Sequence, residues 1–320
     1  MKRVNFYLGM IALIGLISSC SQNEEMADAG LESKTVTFNV GTDIQVGTRA
    51  AEGYTMPDGH QLRYIMAVYK GTVIKRVEAT ATDMTTPVAL STELEKGTYD
   101  IVFFADFIPS DAEAGEDGLY TDKWWDTADL QRIGVKSGIS TQSDLLARDA
   151  FSEVLSNVTK GDEEISESAT LKRPWARLNL VATDADPSSI TQVKMTYTPM
   201  YGFYNARTQN IIEAGGTIPR TFNLNSPQQN ATILSDFLLT PKGGTTTNEK
   251  ITVKIYTTNP ATPFNTITIP AGIPIRANYI TNIKGHFLDK ENKDVTYTLT
   301  ADPAFDGTND RNTAGKEIIP

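Results

Sequence analysis

Carboxylates are concentrated between residues 106 and 129, where eight acidic side chains accompany one lysine. A calcium loop needs oxygen ligands at fixed spacing and a glycine at its sharp turn. Asp111 and Glu113 begin such a pattern, but Gly115 and Glu116 stand at its fifth and sixth positions. The sequence therefore predicts a solvated acidic loop and no metal site. The acids are Asp106, Asp111, Glu113, Glu116, Asp117, Asp122, Asp126 and Asp129.

Aromatic side chains suggest a different chemistry, the stacking of rings on sugars. Trp124 and Trp125 lie within the acidic stretch, and Tyr201, Phe203 and Tyr204 form a second group. Neighbouring residues on a strand face opposite ways, so one member of each pair is expected in the core. Trp124 and Trp125 are candidate glycan-stacking residues, with an ordinary core role as the alternative.

Catalytic patterns are missing from the sequence. It contains no Gly-x-Ser-x-Gly nucleophile elbow and no phosphate-binding loop. Its two histidines, His60 and His286, are far apart, and no pair of carboxylates is singled out for glycoside hydrolysis. We therefore expect neither an enzyme nor a cofactor.

Arg49 stands in a glycine-rich loop, within residues 47–50 (Gly-Thr-Arg-Ala). Exposed loops with small neighbours are favoured sites of proteolysis. Cleavage between Arg49 and Ala50 is one hypothesis, and an unmodified surface arginine is the alternative.

The N-terminus has the layout of a secretory signal peptide, residues 1–19. Lys2 and Arg3 precede an apolar run over residues 4–17, which is too short for a membrane-spanning helix. Residues 16–20 (Leu-Ile-Ser-Ser-Cys) resemble the lipobox of bacterial lipoproteins, in which the cysteine is acylated, for example with palmitate. Cys20 is the only cysteine, which leaves none for a disulfide. An ordinary signal peptide with a chance cysteine is the alternative.

The net charge of the chain limits which partners it is expected to bind. The 320-residue chain has a net charge of −10, and removal of Lys2 and Arg3 makes it more negative. An acidic protein repels phosphate backbones and anionic headgroups, so nucleic acid is not an expected partner. Attachment to the membrane would depend on lipid at Cys20.

The elements that must position these residues are strands. Alternation of Val36, Phe38 and Val40 with polar residues is typical of a half-buried strand. Residues 144–154 are the only segment that predicts a helix. Residues 20–34 predict a flexible tether. Residues 159–168 predict a linker between two domains, which would span residues 35–165 and 166–320. Short strands rich in Thr, Val and Ile predict an all-β fold of tandem sandwiches. The predicted strands are 35–40, 62–69, 72–77, 99–107, 171–180, 193–197, 231–239, 251–257, 264–269, 279–287 and 295–300.

An ordered set of short segments resembles the fimbrillin-like outer-membrane lipoproteins of Bacteroidota, in particular a subfamily described as a domain of unknown function. The set covers nearly the whole chain after the signal peptide. Its pieces are 99–107 (Tyr-Asp-Ile-Val-Phe-Phe-Ala-Asp-Phe), 119–120 (Leu-Tyr), 129–130 (Asp-Leu), 148–151 (Arg-Asp-Ala-Phe), 171–180 (Leu-Lys-Arg-Pro-Trp-Ala-Arg-Leu-Asn-Leu) and 302–307 (Asp-Pro-Ala-Phe-Asp-Gly).

The resemblance implies two transthyretin-like β-sandwich domains, lipid anchoring at the outer membrane and a structural or adhesive role in surface fimbriae. It also implies cleavage after Arg49, loss of the first strand and β-strand addition by another fimbrial subunit. Residues 295–299 are the candidate donor strand, or simply the last strand of their own domain. A stalk, tip or anchor role is left open. The alternative function is a surface glycan-binding lipoprotein of a nutrient-uptake system.

Overall fold

The protein is described by a computed structural model that covers residues 33–43, 56–136, 146–198, 200–215, 218–240, 245–247, 250–269, 271–291, 294–301 and 317–319. Within these ranges nearly all regular structure is β-strand, and the two helical turns, Leu146–Arg148 and Pro187–Ser189, have three residues each. None of the described helices is long and apolar enough to cross a membrane. The predicted all-β fold class is confirmed.

The first sandwich packs a three-stranded sheet against a four-stranded one. The order of the first sheet is β4-β1-β9, and the order of the second is β3-β2-β5-β8. Alternate side chains from both sheets meet in one core, where Phe38, Tyr64 and Phe103 are fully buried. The strands are β1 (Lys34–Thr42), β2 (His60–Lys70), β3 (Thr72–Ala81), β4 (Val88–Leu94), β5 (Gly97–Pro109), β8 (Ala150–Lys160) and β9 (Ile165–Leu171).

The second sandwich packs a five-stranded sheet, β15-β10-β20-β21-β22, against a four-stranded sheet, β14-β11-β17-β18. Leu178, Val193 and Val253 are fully buried in its core. β16 and β19 form a separate, short two-stranded sheet. The strands are β10 (Trp175–Ala182), β11 (Gln192–Thr198), β14 (Ile218–Asn223), β15 (Thr232–Leu239), β16 (Thr245–Thr247), β17 (Lys250–Tyr256), β18 (Asn265–Ile269), β19 (Pro274–Arg276), β20 (Tyr279–Gly285), β21 (Val295–Ala301) and β22 (Glu317–Ile319).

A smaller sheet joins the two sandwiches. Its strands are β6 (Trp125–Asp126), β7 (Ile133–Val135), β12 (Met200–Asn205) and β13 (Asn210–Gly215), in the order β13-β12-β7-β6. Beneath it lies a third core, in which Trp125 stacks on Trp175 with ring centroids 4.6 Å apart. The described residues accordingly belong to one compact unit, 33–320.

The helix predicted at residues 144–154 is wrong. Of the described residues 146–154, only Leu146–Arg148 form a helical turn, and β8 begins at Ala150. Pairing with β5, which places Phe151 opposite Ala105, fixes the extended conformation. Long-range pairing of this kind overrides a local helical pattern.

The predicted linker and the long strand after it also differ from the structure. Most of the predicted linker is strand, because β8 continues to Lys160 and β9 begins at Ile165, and residues 161–164 connect the two sheets of the first sandwich. The strand predicted at 171–180 is split at Pro174, which has no N–H to donate to a ladder. The predicted boundary at 165/166 falls at the start of β9, and this strand pairs with β1. The two-domain division itself stays a prediction.

Candidate functional site

β1 is the central strand of its sheet. It pairs antiparallel with β4, where Phe38 lies opposite Leu90, and parallel with β9, where Phe38 lies opposite Glu167. Seven residue pairs link it to each neighbour. Its backbone therefore completes a sheet whose other two described strands have no pairing with each other.

The inward face of β1 fills the first core. Val36, Phe38 and Val40 are at most 1% exposed, as their alternation predicts. Phe38 meets the edge of Phe103, with ring centroids 5.4 Å apart and an angle of 65° between the rings. On the outward face, Thr37 and Ser91 share a hydrogen bond of 2.9 Å between hydroxyls. Removing β1 would leave a groove shaped for alternate apolar side chains.

Asp43, directly after β1, is a largely buried acid. Burial raises the pKa of its carboxyl to about 7, while the positive charge of Arg173 lowers it and the negative charge of Asp149 raises it. Lys172 lowers the pKa as well, and Oδ1 of Asp43 has no hydrogen-bond partner. The C-terminal end of β1 is therefore tied to an environment that disfavours a charged carboxylate.

The predicted modification sites lie outside the described residues. Cys20 precedes residue 33, where the description begins, and Arg49 and Ala50 fall between residues 43 and 56. The strand predicted before Arg49 at 35–40 is confirmed as β1, and the strands predicted after it at 62–69 and 72–77 are confirmed as β2 and β3.

The candidate donor strand is paired within its own sheet. β21 pairs antiparallel with β20 along seven residues and with β22 along three. Tyr297, opposite Ile283, belongs to the second core. In this structure residues 295–299 are thus an ordinary strand of the second sandwich.

Neither predicted glycan-stacking indole has a free face. Trp124 is 5% exposed and Trp125 is 4% exposed. Trp125 stacks on Trp175, and its Nε1 donates to the carbonyl oxygen of Arg148 at 3.1 Å. Both rings therefore belong to the core between the sandwiches, and neither is available for stacking on a sugar.

The second aromatic group offers no platform either in its described members. Tyr204 is buried, and the guanidinium of Arg132 lies over the ring of Phe203 at 3.5 Å from the centroid. In the pairing of β12 with β7, Phe203 lies opposite Gly134 and Tyr204 lies opposite Ile133. Tyr204 is part of the core between the sandwiches.

The acidic stretch is bound to the first sandwich through Arg63, a residue that the sequence analysis missed. Its buried guanidinium donates from Nε and Nη2 to the two oxygens of Asp106, at 2.8 and 2.9 Å. Nη2 also donates to Asp122 at 2.8 Å, and Nη1 donates to the carbonyl of Tyr120 at 3.0 Å. The prediction of a simply solvated loop is therefore wrong for Asp106 and Asp122.

Asp122 also organises the turn that follows it. The amide and hydroxyl of Thr127 donate to its carboxylate at 2.8 and 2.7 Å, and Lys136 donates to its carbonyl at 2.6 Å. Burial raises the pKa of Asp122, but the hydrogen bonds from Thr127 and Arg63 outweigh it and hold the pKa below its usual value. Within the described residues, no group of three or more metal-binding side chains is placed to hold a metal ion.

One sequence signal could have revealed this cluster. Arg63 interrupts the apolar run of β2, and Asp106 interrupts that of β5. The two positions are directly opposite in the β2–β5 ladder. A charge within each of two neighbouring buried strands, with opposite signs, indicates a buried ion pair.

Comparison with known proteins gives a family match over nearly the whole chain. Residues 28–318 match a family of unknown function (DUF6562). This confirms the resemblance to a subfamily described as a domain of unknown function. No curated protein matches the sequence.

Several solved structures are distantly similar. A candidate polysaccharide-binding protein from Bacteroides thetaiotaomicron is 9% identical, with 84% of this chain and 96% of that chain covered and a TM-score of 0.48. The tip fimbrial protein Mfa3 from Porphyromonas gingivalis is 13% identical, with 84% and 100% covered and a TM-score of 0.44. A candidate cell adhesion protein from Bacteroides uniformis is 10% identical, with 83% and 97% covered and a TM-score of 0.45. At these scores the likenesses carry no conclusion about role.

Proposed function

The chain belongs to the DUF6562 family of unknown function, and we propose that it is a structural or adhesive subunit of surface fimbriae, exported as a lipoprotein. Lipid on Cys20 would anchor the chain at the outer membrane, and other subunits would join it by β-strand addition. The sequence supports this proposal through the lipobox-like segment and the ordered fimbrillin-like motifs.

The observation that carries the proposal is the position of β1. It is the central strand between β4 and β9, yet it is the first strand of the described chain, and in the sequence it precedes Arg49. A cut after Arg49 would sever its covalent connection to the rest of the sandwich. Departure of the strand would then free both an apolar groove and two rows of main-chain groups.

Strand addition follows from the chemistry of that groove. Unpaired N–H and C=O groups on β4 and β9 would bind an extended segment, and pockets left by Val36, Phe38 and Val40 would set its register. An exposed groove of this kind is unstable in water. Occupation by a neighbouring subunit's strand would restore both the main-chain hydrogen bonds and the apolar burial.

The test of the proposed role uses cells that express the chain with Cys20→Ala. The unaltered chain should incorporate a labelled fatty acid and should be recovered with outer membranes and with sheared surface appendages. Cys20→Ala should abolish the labelling and the membrane retention, whereas Ser21→Ala should leave both unchanged. A labelled chain that is never recovered with appendages would contradict the fimbrial role, and equal labelling of Cys20→Ala would contradict the anchor.

Glycan binding is not proposed. Its sequence basis was the Trp124–Trp125 pair, and both rings are buried. Polysaccharide binding that survives in a Trp124→Ala variant would have to use another surface.

A further inference from the structure

The outer face of the sheet β14-β11-β17-β18 carries two lysines directly opposite each other. Alternate residues of β11 and β17 are buried in the second core, and the residues between them point outward. Lys194 on β11 points outward and lies opposite Lys254 on β17. Thr221 on β14 continues this row on one side, and Thr266 on β18 continues it on the other. A row of ammonium and hydroxyl donors therefore crosses the whole sheet.

We call the outward surface around Lys194, Lys254 and Lys250 the basic face. Like charges directly opposite each other on neighbouring strands destabilise a sheet, so the stability of the fold does not explain the pair. Neither Lys194 nor Lys254 has an ion-pair partner among the described residues. None of the described side chains on the basic face is acidic. The opposing charge has to come from outside this sheet.

The basic face points away from the first sandwich. The other sheet of the second sandwich contains β10 and β15, which contribute Trp175 and Phe237 to the core between the sandwiches. The sheet with the two lysines lies on the opposite side of the second core. The acids of the first sandwich in the same molecule therefore do not face the lysines, and a partner has to be another molecule.

Charge is distributed unevenly along the chain. Residues 21–171 contain 27 acidic and 12 basic residues, whereas residues 172–320 contain 12 acidic and 15 basic residues. The turn that follows β5, residues 111–117, has no basic residue, and the amide of Gly115 within it donates to the carbonyl of Leu119 at 2.8 Å. We call residues 111–117 the acidic turn. Its exposed acids are Asp111, Glu113, Glu116 and Asp117.

We propose that the basic face binds the acidic turn of a second copy of this chain. The ammonium groups of Lys194 and Lys254 would donate charge-assisted hydrogen bonds to carboxylates of the turn. A second copy is the partner that we assign, because the chain itself carries both members of a pair of surfaces with complementary charge. Each copy would present its basic face to one neighbour and its acidic turn to another. Such a head-to-tail contact forms filaments when its rotation does not close a ring.

This contact does not depend on the release of β1. Both surfaces belong to the uncut chain, and exposed ion pairs are individually weak. The association is therefore expected to be reversible and to be lost on dilution during gel electrophoresis, unlike oligomers joined by strand exchange. Its failure would leave the strand-exchange proposal unchanged, and the failure of strand exchange would leave this contact unchanged.

The test is sedimentation equilibrium of the chain without its signal peptide. Cys20→Ala and Arg49→Ala are included so that neither lipid nor cleavage contributes. In about 0.1 M salt, charges more than about 10 Å apart are screened, so the net negative charge of each copy does not prevent contact. We expect reversible association under these conditions, and an affinity about tenfold lower in about 0.5 M salt.

The basic face is tested by Lys194→Gln combined with Lys254→Gln. This pair of substitutions should lower the affinity about tenfold and should not lower the unfolding midpoint, because it removes two like charges from opposite positions. The matched control is Lys75→Gln combined with Lys284→Gln, which removes two exposed lysines outside the basic face and should leave the association unchanged.

The acidic turn is tested by Glu113→Gln combined with Glu116→Gln, which should lower the affinity to the same extent. Asp58→Asn combined with Glu95→Gln removes two exposed acids elsewhere and is the control. The variant of the basic face and the variant of the acidic turn should form a 1:1 complex when mixed, because one intact surface remains on each. They should form nothing longer.

Three outcomes would overturn the proposal. The unaltered chain could stay monomeric at high concentration in about 0.1 M salt. The two variants could fail to form a complex when mixed. Polyglutamate could bind through Lys194 and Lys254 while the chain itself does not associate, which would indicate a different acidic partner.

Discussion

β1 and β10 occupy equivalent places in the two sandwiches but are held there differently. Each is an internal strand with an antiparallel neighbour on one side and a parallel neighbour on the other, β4 and β9 for β1, and β15 and β20 for β10. Each buries alternate apolar side chains in its core. The non-covalent attachment of the two strands is therefore similar.

Chain connectivity distinguishes them. β10 is preceded by β9 and followed by β11, so the fold holds it at both ends. β1 has the rest of the described chain on one side only. In addition, β20 is covered by β21 and β22, whereas β9 pairs with no described strand beyond β1. One cut can thus release β1, and no single cut can release β10.

The largest expected loss of stability comes from core substitutions in β1 and β10, which test whether the two strands contribute equally to their cores. Phe38→Ala in β1 should lower the free energy of unfolding by about 3–5 kcal/mol, and Leu178→Ala in β10 by about 2–5 kcal/mol, because each leaves a cavity in a closed core. Chemical denaturation measures both. Asn39→Ala, on the exposed face of β1, should change stability by less than about 0.5 kcal/mol. A Phe38→Ala effect as small as that of Asn39→Ala would mean that β1 is not part of the core.

A similar loss is expected from the ion pair that holds the acidic stretch. Arg63→Met leaves the fully buried carboxylate of Asp106 without its partner, which should cost about 3–5 kcal/mol. The exposed pair of Lys96 and Asp162 is the matched control, and Lys96→Met should leave the unfolding midpoint unchanged. If Arg63→Met and Lys96→Met lowered stability equally, the carboxylate of Asp106 would not be buried as the structure shows.

A pH-dependent effect concerns the end of β1. The unfolded chain releases the Asp43 proton near pH 3.8, whereas in the folded protein the pKa is about 7. The folded state therefore binds more protons between these values, and the contribution of Asp43 to stability falls as the pH rises from about 4 to about 7. Asp43→Asn should lose less stability than the unaltered protein over this range, and exposed Asp58→Asn should not differ from it. The free energy of unfolding measured at several pH values decides this, and identical slopes for Asp43→Asn and the unaltered protein would contradict it.

Local patterns were enough to predict the strands whose two faces differ. Val36, Phe38 and Val40 alternate with polar residues, and β1 is found where this pattern predicts it. β8 was missed because its strand conformation depends on pairing with β5, some fifty residues earlier in the chain, which no local window contains.

The candidate site was harder to predict from the sequence, because charged and aromatic residues that the sequence places at the surface are buried in the structure. Arg63 is fully buried although arginine is usually exposed, and its partners come from β5 and the acidic stretch. Trp125 is buried because Trp175, from the next sandwich, stacks on it. Such contacts join segments that are distant in sequence, so composition alone does not reveal them.

Removal of β1 by proteolysis tests the strand-exchange proposal most directly. Limited digestion with a trypsin-like protease should cut after Arg49, release β1 and yield a fragment that begins at Ala50. We predict that this fragment forms ladders of oligomers on an unheated gel. A peptide of residues 33–43 in excess should block the ladders, whereas the same peptide with Ser in place of Val36, Phe38 and Val40 should not. Arg49→Ala should remain uncut and monomeric. A fragment that begins at Ala50, has lost β1 and stays monomeric at high concentration would contradict assembly by strand exchange.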